Sequence, residues 1–199
     1  MKPNTPEWLE ARRSGIGGSD APIIMGVSPY SKPLALYLEK LWGSDKIDNS
    51  AMQRGRAMEP YALQSFVEHT GFKVAYETDD CFQWNSQIPW QFATFDALID
   101  GTDTFVEIKC LGAKNHQFAL DGKVPPHYIP QLQHQMCVKG CKMCYYWSYD
   151  GEKGVLIEVP RDEEYINTQL LPTEERFIGY LTTRTPPPSV PRKTKTTRV

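Results

Sequence analysis

The sequence predicts a mixed α/β domain in which helices precede a largely antiparallel sheet and further helices pack on that sheet. Three observations lead to this prediction. The first 70 residues contain helix starts and stops, residues from about 72 to 110 form short aromatic and β-branched runs, and helical patterns return near residue 127. At 199 residues the chain is long enough to bury a full core as one domain.

The N-terminal third is predicted to be helical. Thr5 and the proline after it start a first helix, the glycine-rich turn SGIGGSD follows, and the segment LALYLEKL forms a second helix. A longer helix is expected from about Asn49 to Thr70, where Gly71 provides a normal C-terminal stop. Pro60 lies inside this helix and predicts a kink or a break there.

The middle of the chain reads as strands. The runs FKVAYET, CFQW, FATFDALI and TFVEIKC have strand composition, and the segment DGTDT predicts a hairpin turn between the last two runs. A helix is then expected at about 127–138. The runs CYYWSYD and GVLIEV form a second hairpin that turns at Asp150 and Gly151. The last helix covers about 162–181, with an interruption at Pro172.

Charge divides the chain into a domain at 1–183 and a basic, proline-rich tail at 184–199. The chain has 22 basic and 24 acidic residues, and the tail carries five of the basic residues and no acidic residue. Those five are Arg184, Arg192, Lys193, Lys195 and Arg198. The rest therefore has 17 basic against 24 acidic residues, a net charge near −7, which excludes a generic basic nucleic-acid coat. The tail is expected to be flexible, either as a solubilising end or as a weak phosphate-binding arm.

The N-terminal segment MKPNTPEWLEARR lacks the apolar run of a signal peptide, and no stretch is apolar enough to span a bilayer. These features favour a cytoplasmic protein without a membrane partner. The five cysteines are an odd number and argue against a disulfide framework. His134, Cys137, Cys141 and Cys144 have the residue types of a zinc or iron–sulfur site, although cysteines in such positions more often pack as small apolar side chains.

The segment VEIKCLG carries charges where a buried strand is expected. Side chains alternate along a strand, so Glu107 and Lys109 share one face and Ile108 points to the other. The preceding strand of the hairpin brings Asp96 close to Glu107, since adjacent strands lie about 4.8 Å apart. Two such carboxylates repel each other unless a cation lies between them, and hard oxygen ligands suit Mg²⁺ or Mn²⁺. The alternative is a surface ion pair on an edge strand.

The segment WLEARRSGIGGSDAP predicts an anion site. Gly17 and Gly18 allow a tight turn with exposed backbone N–H groups, and Ser19 is a suitable N-cap for a short helix. Arg12 or Arg13 can hold a phosphate through two hydrogen bonds from its guanidinium. The alternative is a plain link between two helices.

These motifs together resemble a known family. Asp96 followed by Glu107, Ile108 and Lys109 resembles the D…(D/E)-x-K signature of the PD-(D/E)XK nuclease superfamily, although Phe95 stands where that signature often has proline. With the segments RGRAMEPYALQSF and YIPQLQHQM, the pattern is similar to the phage lambda-type exonucleases, also called YqaJ-like viral recombinases. The resemblance covers most of the chain, from about residue 8 to residue 159.

The resemblance implies a restriction-endonuclease-like core and a 5′-to-3′ exonuclease that digests one strand of linear duplex DNA to mononucleotides. It also implies Mg²⁺, with Mn²⁺ as a substitute, a ring-shaped homotrimer, and duplex ends with a 5′ phosphate as substrate. A bacterial host cytoplasm and a single-strand annealing protein of the same phage system complete the expectation. The rival interpretations are a PD-(D/E)XK endonuclease of restriction type and a non-catalytic DNA-binding subunit.

The family's site residues carry over to specific positions of this sequence. The implied metal site comprises three carboxylates and one backbone carbonyl, from Glu59, Asp96, Glu107 and Ile108. Lys109 is the implied catalytic lysine, and Gln131 is implied to position the attacking water or the scissile phosphate. Arg12 and Ser19 are the implied ligands of the 5′ phosphate.

Overall fold

The computed structural model describes residues 5–43 and 50–188, in which helices flank a five-stranded sheet. The helices are α1 (Pro6–Ser14), α2 (Ala21–Ile24), α3 (Pro33–Trp42), α4 (Ser50–Thr70), α5 (Ala113–Leu120), α6 (Ile129–Lys139), α7 (Glu163–Tyr165) and α8 (Leu171–Thr183). The strands are β1 (Val74–Tyr76), β2 (Phe82–Trp84), β3 (Phe92–Thr94), β4 (Ala97–Ile99), β5 (Phe105–Cys110), β6 (Met143–Tyr149) and β7 (Gly154–Pro160).

Two sequence predictions extend outside the described residues: the first residue of the long helix, at position 49, and the tail from residue 189 onward. Within the described parts of the chain, no helix combines the length and the apolar character needed to cross a membrane.

The main sheet has the strand order β1-β4-β5-β6-β7, and β2 pairs with β3 in a separate two-stranded sheet. All neighbours in the main sheet are antiparallel except β5 and β6, which are parallel. A parallel pair needs a long crossover connection, which α5 and α6 supply here. The prediction of a mixed α/β domain with a mostly antiparallel sheet is confirmed.

Helices cover both faces of the central strand β5. On one face α4 packs Phe66 against Ile108 and Trp147, and on the other α6 packs Leu132 against the layer that contains Phe105. Each fully buried aromatic side chain contributes roughly 1.5–3 kcal/mol to the free energy of unfolding relative to an exposed one. Because side chains alternate along a strand, the charged residues of β5 lie on the α6 face, inside the protein.

The run FATFDALI is two strands rather than one. The chain leaves the small sheet after β3, and the N–H of Phe95 donates to the carbonyl of Cys81 at 2.8 Å. It then enters the main sheet with Ala97 facing Val106. The break places Asp96 immediately before β4, at the position that would face Glu107 if the register continued by one residue.

The two internal prolines have different effects. The sequence predicts a kink or a break at Pro60. The structure shows no break there, because α4 continues through Pro60 as one helix of 21 residues. Met58 and Phe66, on either side of Pro60, both pack against the same sheet face, which holds the helix together. Pro172 does coincide with an irregularity, because a π-helical segment, Ile166–Leu170, precedes it. Proline cannot donate the usual i→i−4 hydrogen bond, and a π-turn accommodates that loss.

Candidate active site

Glu107 is the centre of the candidate site and is almost wholly buried, with 2% of its surface exposed. Its Oε1 accepts hydrogen bonds from the ammonium of Lys109 and, at 2.5 Å, from Nε2 of Gln131. Its Oε2 accepts from Nε2 of Gln135 at 2.6 Å. A buried carboxylate is costly unless it is paired and hydrogen-bonded, and β5 and α6 together meet that requirement.

Asp96 lies beside Glu107, as the hairpin predicted. Its Oδ2 accepts a hydrogen bond from the N–H of Ile108 at 2.6 Å, which ties the start of β4 to the middle of β5. Burial and the nearby Glu107 carboxylate raise the pKa of Asp96 well above its ordinary value. The pKa of Glu59, on α4, is raised by burial and then by the same carboxylate. The structure thus brings the three predicted acidic residues into one electrostatic cluster.

Lys109 completes the cluster with a positive charge. Its side chain is 21% exposed, and its ammonium lies 5.2 Å from the centre of the Tyr128 ring. Burial alone would lower the pKa of Lys109, but the carboxylates of Glu107 and Asp96 outweigh burial and raise that pKa above its ordinary value. The two carboxylates therefore favour the charged form of Lys109.

The donor set fits a hard divalent cation. Carboxylate oxygens are the ligands that Mg²⁺ and Mn²⁺ prefer, and a cation between Asp96 and Glu107 would relieve the repulsion that raises the pKa of Asp96. Side chains of Lys109, Gln131 and Gln135 already bond both oxygens of Glu107. Within residues 5–43 and 50–188, no group of three or more His, Cys, Asp or Glu side chains is arranged to hold a metal ion. Metal binding would therefore require at least one of these side chains to move away from Glu107.

Gln135 is a site residue that the sequence analysis missed. It lies one helical turn after Gln131 on α6, so both amides face Glu107. Gln133, between them, faces the other way and bonds the backbone of Pro160 and Asp162. The (i, i+4) spacing of the two glutamines was the available signal, because it places both on the face that packs against the sheet.

The glycine-rich turn packs directly onto these glutamines. A Cβ on Gly18 would lie 3.0 Å from Cγ of Gln135 and 3.5 Å from Cγ of Gln131, and a Cβ on Gly17 would lie 2.7 Å from the ring of Phe92. Close approach, rather than an unusual backbone angle, therefore explains both glycines. The turn and the carboxylate cluster form one continuous region.

The turn is built around a buried ion pair that the sequence did not reveal. Asp20 is 1% exposed, and its Oδ2 accepts from the N–H of Gly17 at 2.9 Å and from Nζ of Lys40 at 2.5 Å. Nζ of Lys40 also donates to the carbonyls of Arg12 at 2.5 Å and Gly15 at 2.7 Å. The expectation that the N–H of Gly17 is exposed and that Ser19 caps the helix is wrong. The internal carboxylate takes that N–H, and Ser19 lies within a short 3₁₀ turn (Gly18–Asp20).

Arg12 and Ser19 nevertheless lie on the accessible side of this turn. Ser19 is exposed, and the Arg12 side chain is 30% exposed. The Arg12 guanidinium lies 4.9 Å from the centre of the Trp8 ring, and its Nη2 lies 3.8 Å from Oδ1 of Asp20. A guanidinium held by a ring and a carboxylate keeps free donors for an anion. Arg13 is exposed.

The histidine and cysteine set does not form a metal site. Nδ1 of His134 pairs with Oε1 of Glu174 at 2.8 Å, and its Nε2 lies 2.9 Å from the carbonyl of Phe92. All five cysteines lie in the described ranges and are free thiols. Burial would lower the pKa of His134, but Glu174 raises it above its ordinary value. His116 is also buried, and its Nδ1 lies 2.8 Å from Oγ of Ser148.

The chain matches known proteins over most of its length. The profile of the YqaJ-like viral recombinase domain matches residues 7–142. The uncharacterized protein YqaJ of Bacillus subtilis (strain 168) is 32% identical over 167 residues, which cover 81% of this chain and 51% of that protein. The chain therefore spans about half the length of this curated relative.

Solved structures are similar as well. The alkaline exonuclease LHK-Exo from Laribacter hongkongensis is 28% identical, with a TM-score of 0.75, and the match covers 90% of this chain and 94% of that one. The same exonuclease in complex with dAMP matches with a TM-score of 0.77. A phage related exonuclease from Haemophilus somnus 129PT, 14% identical with a TM-score of 0.61 over 86% of this chain and 96% of that one, shares the fold.

These matches confirm the restriction-endonuclease-like PD-(D/E)XK core that the resemblance implied. The family profile covers more than half of the chain, and the Bacillus relative independently exceeds 30% identity across most of it. The chain belongs to the family of YqaJ-like viral recombinase domains.

Proposed function

We propose that this protein is a metal-dependent exonuclease that digests one strand of linear duplex DNA in the 5′-to-3′ direction and releases mononucleotides. One observation carries the proposal: the Lys109 ammonium is bonded to the buried Glu107, while Asp96, just before β4, accepts a hydrogen bond from the N–H of Ile108. A buried cluster of carboxylates with an adjacent amine is the arrangement that phosphodiester hydrolysis needs.

Mg²⁺, for which Mn²⁺ substitutes, would be held by Asp96, Glu107, the carbonyl of Ile108 and Glu59. When bound, such an ion lowers the pKa of a water and offsets charge on phosphate oxygens. The residues of the chain do the rest. Lys109, a cation that is partly exposed, stabilises negative charge on the phosphate, and Gln131 positions the attacking water or the phosphate.

Directionality follows from the glycine-rich turn. Arg12 and Ser19 bind the 5′-terminal phosphate, and the contact of Gly18 with Gln135 and Gln131 joins this pocket to the carboxylate cluster. Each cut leaves a new 5′ phosphate, which re-enters the pocket and keeps the protein on its strand. Support comes from the exonuclease relatives, one of which was crystallised with dAMP, a mononucleotide.

The biological setting is proposed from the family. The product, duplex DNA with 3′ single-stranded tails, is the substrate of a phage single-strand annealing protein, and recombination takes place in the cytoplasm of a bacterial host. The protein works as a ring-shaped homotrimer around DNA. A monomer mass in light scattering would contradict the trimer without affecting the hydrolytic chemistry.

A digestion time course on linear duplex DNA, labelled at either the 5′ or the 3′ end, tests the proposal with and without Mg²⁺. We expect Mg²⁺-dependent release of the 5′ label as mononucleotide, retention of the 3′ label on progressively shorter strands, and no opening of closed circular DNA. Opening of the circle would favour the endonuclease instead.

Lys109→Ala distinguishes an enzyme from a binding subunit. Removing one charge-stabilising group typically costs about 10²–10³ in rate, so hydrolysis should nearly vanish while DNA binding remains. Equal hydrolysis by Lys109→Ala and the unaltered protein would remove Lys109 from the mechanism. The exposed Lys123 provides a matched control, because Lys123→Ala should leave the rate unchanged.

A further inference from the structure

Three aromatic side chains form a ledge at the edge of the candidate active site. The aromatic ledge consists of Tyr30, from the loop between α2 and α3, and His127 and Tyr128, which precede α6. The Tyr30 and His127 ring centres lie 6.0 Å apart in an edge-on arrangement, and those of His127 and Tyr128 lie 4.1 Å apart. Residues far apart in sequence thus meet in one aromatic surface.

The ledge is connected to the catalytic cluster through Tyr128. The Lys109 ammonium lies 5.2 Å from the centre of the Tyr128 ring, which places the ledge beside the proposed catalytic lysine. Burial raises the pKa of Tyr128 to about 12, and a hydrogen bond with the Tyr30 side chain contributes to that rise.

Two features of the ledge call for a ligand. Tyr30 is 73% exposed and presents a large aromatic surface beside the site. Nε2 of His127 is buried and has no hydrogen-bond partner among the described residues. An unpartnered buried polar atom is costly, and here it lies next to an exposed ring.

We propose that the aromatic ledge is a base-stacking subsite, which binds a nucleobase of the DNA strand held at the candidate active site. The inference rests on the proposed function for its substrate class. Tyr30 provides the outer stacking face, and His127, with its unpartnered nitrogen, supports that ring from the inner side.

A nucleobase fits the ledge for chemical reasons. Every base has a flat π-face that stacks on tyrosine without regard to sequence, as a nuclease that digests any sequence requires. The phosphate of the same nucleotide is anionic, and Lys109 supplies a cation beside Tyr128. The ledge would thus hold the base while the carboxylate cluster acts on the neighbouring phosphate, and so fix the position of the nucleotide to be released.

The test is a binding cycle without divalent ions, so that no cleavage occurs. The probe is a 5′-phosphorylated duplex that carries an abasic site at the first, second or third nucleotide of the 5′ strand, measured by fluorescence anisotropy in EDTA. Stacking on one aromatic residue accounts for about 5- to 150-fold in affinity. We expect one of the three abasic positions to weaken binding of the unaltered protein by a factor in that range.

Tyr30→Ala should weaken binding of the intact duplex by a similar factor and should show no additional loss at that abasic position, since the two changes remove the same contact. Tyr30→Phe should bind like the unaltered protein. Trp42→Ala is the matched control, because Trp42 is also 73% exposed but lies outside the ledge, and it should retain the full abasic effect.

Additive losses from Tyr30→Ala and the abasic site at all three positions would overturn the ledge while leaving the proposed function intact. Tight binding with no effect of Tyr30→Ala would overturn it in the same way. If the unaltered protein neither binds the duplex in EDTA nor digests it with Mg²⁺, the proposed function fails and the ledge fails with it.

Discussion

Replacing Lys40 with methionine should destabilise the protein through a single charge. Lys40 and Asp20 have side-chain exposures of only 4% and 2%, and methionine retains the apolar stem of lysine. The substitution removes three hydrogen bonds, to Asp20 and to the carbonyls of Arg12 and Gly15. It leaves the Asp20 carboxylate buried with its nearest remaining cation, Arg12, at 3.8 Å.

The expected magnitude follows from the loss of one partner of a buried ion pair. Such a loss costs about 3–5 kcal/mol of unfolding free energy, and the remaining Arg12 places the estimate near the lower end, about 3 kcal/mol. For a protein of this size, about 1 kcal/mol corresponds to a shift of about 2–4 °C in melting temperature. Lys40→Met should therefore melt about 6–12 °C below the unaltered protein near pH 7.

The pH dependence gives the prediction a signature. Burial would raise the pKa of Asp20, but Lys40 and Arg12 outweigh burial and lower it in the folded protein. Its contribution to stability is therefore present above the unfolded pKa, 3.8, and lost as pH falls through the lower, folded value. Without Lys40 the folded pKa of Asp20 rises, because burial is then opposed by fewer favourable partners. The deficit of the variant should shrink as pH falls from about 7 to about 4.5.

Differential scanning calorimetry at both pH values measures this effect. Lys123→Met serves as the control, since surface changes usually stay within about 0.5 kcal/mol, and Asp20→Asn added to Lys40→Met should recover part of the lost stability. A melting-temperature deficit below about 3 °C, or one of equal size at the two pH values, would refute the reasoning.

Three further predictions concern the site and its support. Arg12→Ala should reduce the preference for 5′-phosphorylated over 5′-hydroxyl ends by about 10- to 100-fold, measured as the ratio of initial digestion rates. Equal digestion of both kinds of end by the unaltered protein would contradict the phosphate pocket. Gln135→Ala should slow hydrolysis about 10- to 100-fold with DNA affinity unchanged, and an unchanged rate would show that Gln135 does not orient Glu107. Glu174 raises the pKa of His134 above 6.5. The stabilisation that this pair provides is therefore full below pH 6.5 and is lost as pH rises through the folded pKa of His134. The melting temperature of His134→Gln should lack this decline at higher pH, and an identical decline would exclude His134 as its source.

The acidic pair was predictable because its geometry is local. Asp96 and Glu107 belong to adjacent strands of one short hairpin, and the side-chain period of two fixes which residues share a face. The approach of the strands then follows from the turn around Gly101, which adopts a positive φ of 74°. The same local reasoning found the long helix that carries Glu59.

The supporting contacts were not predictable because they join distant parts of the chain. The partner of Asp20 lies 20 residues away on α3, and Gln135 reaches Glu107 across 28 residues. His134 suggested a metal ligand until the fold placed Glu174, 40 residues further on, against its ring. These long-range contacts cannot be predicted from spacing along the sequence, because they depend on how the helices pack on the sheet.

Anomalous scattering from a crystal soaked in Mn²⁺ tests the central claim most directly, since that claim is that Asp96 and Glu107 share a divalent cation. We predict a manganese peak in contact with oxygens of both carboxylates and its loss in Asp96→Asn. A fully soaked crystal without manganese between them, in which Lys109, Gln131 and Gln135 still occupy the oxygens of Glu107, would contradict the account.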